Sequence, residues 1–283
     1  MDVTIPRYIR CNNQILNVSP AKVMGILNLT PDSFYSESRV KNEKKLLEKA
    51  EKMLADGADF LDLGGYSSRP GADFVSEEEE RKRILPAIEL LNKHFPLAKI
   101  SVDTFRAKIA REAIEAGACM INDISGGQAD ERMFDTVAEL QVPYILMHMR
   151  GTPQTMQQLT DYHPDPITEI NRFFSQKIKK LHDKHVNDII IDPGFGFAKT
   201  LEQNYFILKN LDRFLIHDKI LLVGISRKSM LYKLLRITQD QALNATTVAH
   251  TIGLLKGASI LRVHDVKEAK EVVKIVDFMN QSG

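Results

Sequence analysis

The chain lacks the features that mark several large functional classes. It holds only two cysteines, Cys11 and Cys119, far apart and outside metal-ligand spacing. That argues against a disulfide framework and for a reducing compartment, with Cys119 read as a buried strand residue. No excess of charge exists either, since 38 Lys plus Arg face 37 Asp plus Glu. Without a long basic block, neither nucleic acid nor an anionic membrane is an expected partner. No run reaches about 18 uninterrupted apolar residues, and the opening MDVTIPRYIRCNNQIL has no apolar core with a basic flank. A soluble cytoplasmic protein is expected. Low-complexity stretches, repeats and linkers rich in Pro, Gly or Ser are also missing.

What remains is regular. The chain has 283 residues, 43% of them hydrophobic, which suits one barrel domain of about 250 residues with additions. Eight short apolar runs each lead into polar residues: VMGIL to Asn28, FLDL to Gly64 and Arg69, KISV to Asp103, ACMI to Asn122, YILM to His148, DIII to Asp192, ILLVGIS to Lys228, and SIL to Arg262 and His264. Helical periodicity lies between them. Residues 43–56 carry Leu46, Leu47, Ala50, Met53 and Leu54 on one face, and Ser76 with Glu79 forms a capping-box pattern. Further helices fit 106–116, 131–140, 165–185, 200–211, 228–256 with a break near Ile237–Asp240, and 266–280, where Ala269, Val272, Val273 and Val276 face inward.

Eight alternations of strand and helix imply parallel strands, which need crossover connections and in this number close into a (β/α)8 (TIM) barrel, class α/β. An open doubly wound sheet is the fallback. Residues 1–20 form an extension in which two strands flank the turn-favouring Asn12-Asn13, a β-hairpin expected to cover the barrel floor. A single domain over 1–283 follows. In a closed parallel barrel all strand ends meet at one mouth, where such folds place their chemistry.

That mouth divides by chemistry. Arg69, Lys228, Arg262 and His264 donate or carry positive charge, which suits a phosphate or diphosphate, while Asn28, Asp103, Asn122 and Asp192 suit a flat heterocycle with an amino group beside a ring N–H. In Asp192-Pro193-Gly194-Phe195-Gly196-Phe197, two glycines allow unusual backbone and two phenylalanines are candidates to wall a ring pocket.

The segments GILNLTPDSF (25–34), DLGGYSSRPG (62–71), SVDTF (101–105), INDISGG (121–127), MHMRGTPQTMQ (147–157), DPGFGFAKT (192–200), GISRKSM (224–230) and RVHDV (262–266), taken in order, resemble the dihydropteroate synthase family. The resemblance runs from about residue 22 to the C-terminus. It implies a folate-pathway transferase, a sulfonamide target, that joins 6-hydroxymethyl-7,8-dihydropterin diphosphate to p-aminobenzoate with Mg2+ assistance. The products are 7,8-dihydropteroate and diphosphate, by a dissociative, SN1-like route. By the same resemblance Asn28 is the metal ligand and a diphosphate contact, with Arg262 and His264 at that anion. Asp192 accepts from the pterin edge, Asn122 and Asp103 are further pterin contacts, Lys228 donates to the ring, and Arg262 also stacks on its face. Asp103, Lys228, Arg262 and His264 form the catalytic set. Phe34, Ser68, Arg69 and Pro70, with Ser229, lie by the p-aminobenzoate pocket, and loops 29–40 and 64–76 close over the reaction. A homodimer through the late helices is implied as well.

One departure stands out. Many members carry Glu-Ser-Thr-Arg-Pro-Gly, whereas this chain has Tyr66-Ser67-Ser68-Arg69-Pro70-Gly71, which puts in doubt any role for the side chain at 66. Simpler readings apply elsewhere. Asp62 is evenly balanced between structure and function, His148 leans structural, the other six histidines lie away from strand ends, Met147 and Met149 pack, and Glu77–Arg83 is a solvated helix face. A pterin-dependent methyltransferase is one alternative and a non-catalytic pterin-binding barrel another. The first has no need of Arg-Pro-Gly, Ser-Arg-Lys-Ser or Arg-Val-His, and the second would be marked by loss of Asn28, Arg69, Lys228 or His264.

Overall fold

A computed structural model describes residues 7–12, 14–29, 39–66 and 75–282. Two short strands, β1 (Tyr8–Cys11) and β2 (Gln14–Asn17), pair antiparallel around Asn12, whose φ of 50° is the left-handed shape that asparagine tolerates. Then strands and helices alternate: β3 (Lys22–Asn28), α1 (Arg39–Ala55), β4 (Phe60–Gly64), α2 (Glu77–His94), β5 (Ile100–Asp103), α3 (Ala107–Glu115), β6 (Met120–Asp123) and α4 (Met133–Leu140). There follow β7 (Tyr144–Met147), α5 (Pro166–Asp183), β8 (Ile189–Asp192), α6 (Leu201–Lys209), β9 (Ile220–Val223), α7 (Ser229–Leu235), α8 (Leu243–Leu255), β10 (Ile260–Val263) and α9 (Val266–Gln281). Strands β3 to β10 are parallel and close into a barrel, β10 pairing with β3. The open-sheet alternative is thereby excluded.

Alternation along each strand builds two cores. Val23, Leu27, Leu61, Leu63, Ile100 and Val102 face outward and meet the helices, including Leu46, Ala50 and Met53 of α1 and Val272, Val273 and Val276 of α9. The alternate residues Met24, Phe60, Met120, Ile145, Ile190, Leu222 and Ile260 fill the barrel interior near its floor. Ile9, Cys11 and Val18 of the hairpin join that interior cluster, so the hairpin is the floor.

Two expectations need correction. Cys11 and Cys119 form a disulfide, their Cα atoms 5.3 Å apart across a separation of 108 residues. Sequence distance concealed the pairing, because the hairpin folds under the strand that Cys119 precedes. At α2 the capping box is half formed: Ser76 Oγ accepts from Glu79 N (3.2 Å), but the Glu79 carboxylate accepts from Arg83 Nε (3.0 Å). The reciprocal box occurs instead at α6, between Thr200 and Gln203.

Candidate active site at the barrel mouth

Above the floor the inward residues change character. Asp192 ends β8 and is 5% exposed. Its Oδ1 accepts from Gly194 N (2.7 Å), while Oδ2 has no hydrogen-bond partner among the described residues. Gly194 is required there, since at φ +69° a Cβ would lie 2.1 Å from the His148 carbonyl oxygen. Burial raises the Asp192 pKa, opposed by Lys228, the Gly194 N–H and Arg262.

Lys228 follows the β9 loop and donates to the carbonyl of Phe195, its ammonium 4.7 Å from the Phe197 ring centre. Burial lowers its pKa to about 8 against the pull of Asp192. Of the two phenylalanines expected to wall the pocket, only Phe197 does so. Phe195 is fully buried in the outer core. The loop is pinned from behind by Lys199, whose Nζ donates to the carbonyls of Gly194 (2.9 Å) and Phe197 (2.8 Å) and lies 3.2 Å from His148 Nδ1. His148, buried and edge-on to Phe173, thus has the structural role expected of it. Met147 and Met149 pack, as expected, in a small apolar cluster at this end.

A chain of hydrogen bonds crosses the mouth. Arg262 donates from Nε to Asp62 Oδ2 (2.6 Å) and from Nη2 to Asp103 Oδ2 (2.8 Å). Asn122 Nδ2 donates to the same Asp62 oxygen (3.0 Å), and the Tyr66 hydroxyl donates to Asp103 Oδ1 (2.8 Å). Two carboxylates therefore hold the guanidinium plane and offset its charge. Burial lowers the Arg262 pKa, but Asp62 and Asp103 outweigh it and keep the group protonated. Burial raises the Asp103 pKa to about 7, with Arg262 opposing and Asp62 adding to the rise. Among the described residues, Asp62 Oδ1 and Ser101 Oγ, on neighbouring strand positions, are buried without a hydrogen-bond partner. Such orphaned groups call for a water or ligand atom inside the barrel.

Beside it, on the neighbouring strands β3, β9 and β10, lies the anion-type set. Asn28 ends β3, half-buried, and its Oδ1 would lie 3.8 Å from a Cβ at Gly64, so glycine leaves that oxygen clear. Ser226 Oγ accepts from the His264 backbone N–H (3.1 Å) and sits 3.1 Å from His264 Nδ1. In the tautomer where the Ser226 hydroxyl donates to Nδ1, the neutral imidazole carries its proton on Nε2 and is a donor there. Burial, with Arg262 beside it, lowers the His264 pKa to about 4. Arg227 ties this wall together through a two-point pair with Asp265 (2.8 and 2.9 Å). Ser229 opens α7 at the rim, half-buried.

Asn28, Asp103, Asn122, Asp192, Lys228, Arg262 and His264 all lie at the ends of barrel strands or in the loops that follow them, and Ser229 is the first residue of α7. Phe34, Ser68, Arg69 and Pro70, with most of both closing loops, lie outside the described residues. The solvated-face reading of Glu77–Arg83 fails at two positions. Glu80 is 0% exposed, accepting from Thr104 Oγ1 (2.6 Å) and from Arg106, and Arg83 Nη1 donates to the Gly65 carbonyl (2.9 Å). Both support the backbone beside Asp103 and Tyr66. Ser226, Lys199 and Ser101 were not singled out from sequence, although all three fall within the quoted segments. By sequence Asp62 is evenly balanced between a structural and a functional carboxylate. An acid inside an apolar strand must find partners, and here the partner is a mouth arginine.

The chain matches the family model described as pterin binding enzyme over residues 24–264. It is 42% identical over 258 residues to a dihydropteroate synthase of Synechocystis sp., covering 90% of this chain and 89% of that one. To the folic acid synthesis protein fol1 of Schizosaccharomyces pombe it is 44% identical over 269 residues, 93% of this chain but 36% of that longer protein. A crystal structure of Yersinia pestis dihydropteroate synthase with a sulfonamide drug superposes with a TM-score of 0.90 at 40% identity, over 98% of this chain and all of that one.

Proposed function

The chain belongs to the pterin-binding enzymes, among the dihydropteroate synthases, and from that we propose that it condenses 6-hydroxymethyl-7,8-dihydropterin diphosphate with p-aminobenzoate. The observation that carries the proposal is the buried Asp192, whose Oδ2 has no hydrogen-bond partner among the described residues and whose charge is acted on by Lys228 and Arg262. A carboxylate in that setting matches an amino group beside a ring N–H, the edge of a pterin. Asn122 and Asp103 extend the edge site, Lys228 donates toward the ring, and Arg262, held flat by two carboxylates, stacks on its face.

The residues present also fit a magnesium ion. Among the described residues no three His, Cys, Asp or Glu side chains group as a metal site, and Mg2+ commonly keeps waters and takes substrate phosphate oxygens with few protein ligands. Asn28 would hold it, and the ion would supply charge neutralisation at the diphosphate. The neutral His264 Nε2–H donates to that anion, with Arg262 beside it, and the two offset the charge that develops as diphosphate leaves. Departure precedes attack by the amine, because the pterin nitrogens stabilise a cationic methylene. No covalent nucleophile takes part. Diphosphate release in single turnover without p-aminobenzoate supports that order; strict dependence on the amine removes it.

The test of the activity mixes both substrates with Mg2+ and measures dihydropteroate and diphosphate. Pterin binding without product would favour a non-catalytic barrel. The proposal includes a homodimer through α7, α8 and α9, which expose Leu234, Val248, Leu255, Ile275, Phe278 and Met279. Light scattering reads its mass. Among the described residues no helix is long and apolar enough to cross a membrane. A cytoplasmic location is part of the proposal, tested by fractionation, together with a count of free thiols at Cys11 and Cys119.

A further inference from the structure

The surroundings of Tyr66, at the end of the described part of the loop after β4, assign it a task. The ring lies edge-on to Phe105 at 5.0 Å and belongs to an apolar cluster with Ile124, Met147 and Met156, built from loops after several strands. That packing fixes the phenol independently of Asp103. Among the described residues the hydroxyl then has one partner, Asp103 Oδ1 at 2.8 Å, while Asp103 Oδ2 is committed to Arg262 at 2.8 Å. A short carboxylate held at one oxygen can still turn about its side-chain bonds; held at both, it has one orientation. Thr104 and the buried Glu80 fix the backbone behind it.

We propose that Tyr66 is a positioning residue for the reaction: its phenol locks the Asp103 carboxylate, and through it the Arg262 plane, in the orientation that receives the pterin. The inference rests on the pterin reading of the site given above. A rigid donor mounted on a separate apolar cluster does this better than an ionised acid at position 66, which would face Asp103 with like charge. Hydrogen bonds to charged groups imply a loss of about tenfold or more in pterin affinity when the hydroxyl is removed.

The experiment measures binding of 6-hydroxymethylpterin by calorimetry, and steady-state turnover, for wild type, Tyr66→Phe, Tyr66→Ala, Asp103→Asn and the Tyr66→Phe/Asp103→Asn double variant. Expected is a rise of about tenfold in Kd and in the KM for pterin diphosphate for Tyr66→Phe, with the KM for p-aminobenzoate and the unfolding midpoint nearly unchanged. In the Asp103→Asn background the same substitution should cost little further, since the phenol acts through that carboxylate. A packing role predicts instead that Tyr66→Phe behaves as wild type and only Tyr66→Ala fails, which overturns the proposal. Equal loss in both backgrounds overturns it too. If wild type binds the pterin but forms no dihydropteroate, the synthase reading falls while the binding cycle still decides on Tyr66. If wild type binds no pterin, both fall.

Discussion

The floor and the mouth of this barrel are made by the same eight strands, yet they share almost no chemistry. At the floor the inward residues are Met24, Phe60, Met120, Ile145, Ile190 and Ile260, closed below by Ile9, Cys11 and Val18. One or two inward positions further along, the strands present Asn28, Asp62, Asp103, Asn122, Asp192 and Arg262. The floor gains stability by removing apolar surface from water. The mouth is a buried polar network, favourable only where each group has a partner, and among the described residues it leaves Asp192 Oδ2, Asp62 Oδ1 and Ser101 Oγ without one. Stability and recognition are thus separated along the barrel axis.

Substitutions at the two ends should fail in opposite ways. The largest effect is expected at the mouth: Asp192→Ala or Lys228→Ala should abolish measurable turnover through loss of pterin binding, with a near-normal circular dichroism spectrum. A stable variant with normal turnover removes that residue from the site. At the floor, Phe60→Ala should cost about 3–5 kcal/mol of stability by leaving a cavity, read by urea unfolding, while the folded fraction keeps its kcat. Next, Cys11→Ser should cost about 2–4 kcal/mol, because the bond closes a long loop in the unfolded chain, again with unchanged kcat. Loss of turnover in a folded floor variant would break the comparison.

The smallest effects are those of pH. With Asp103 raised to about 7 and Lys228 lowered to about 8, kcat/KM should rise with ionisation of the first and fall as the second loses its proton, a narrow bell. Asp103→Asn should remove the acid arm. Away from the mouth, His250 is buried on α8, with its pKa lowered by burial from 6.5 to about 4. Its folded pKa lies below its unfolded one, so its contribution is complete above about 6.5 and lost as pH falls toward 4. Thermal midpoints between pH 7 and pH 4 should show the decline, and a variant without that imidazole should show less of it.

Much of this division was legible in advance. The helix stripes of α1 and α9, the break between α7 and α8, and the polar ends of eight apolar runs follow from local periodicity, which the sequence carries directly. The eight ordered segments named the family and its candidate residues. What local pattern does not carry is which side chains meet. Ser76 and Glu79 look like a full capping box until Arg83 competes for the acid. Glu80 reads as one more charge on an acidic run until helix α2 turns it onto Thr104 and Arg106.

From its sequence alone, then, this chain is a closed eight-stranded barrel with a polar mouth and a pterin-family motif set. Strand period, helix period and residue type fix those properties within a few residues of each other. Only the tertiary structure joins Cys11 to Cys119, puts Asp62 under Arg262 and Asn122, brings Ser226 to His264 Nδ1, and sets the Tyr66 phenol on Asp103. Each of these contacts spans 37 or more positions of the chain. Barrel closure brings such residues together, and a one-dimensional pattern has no measure of that distance.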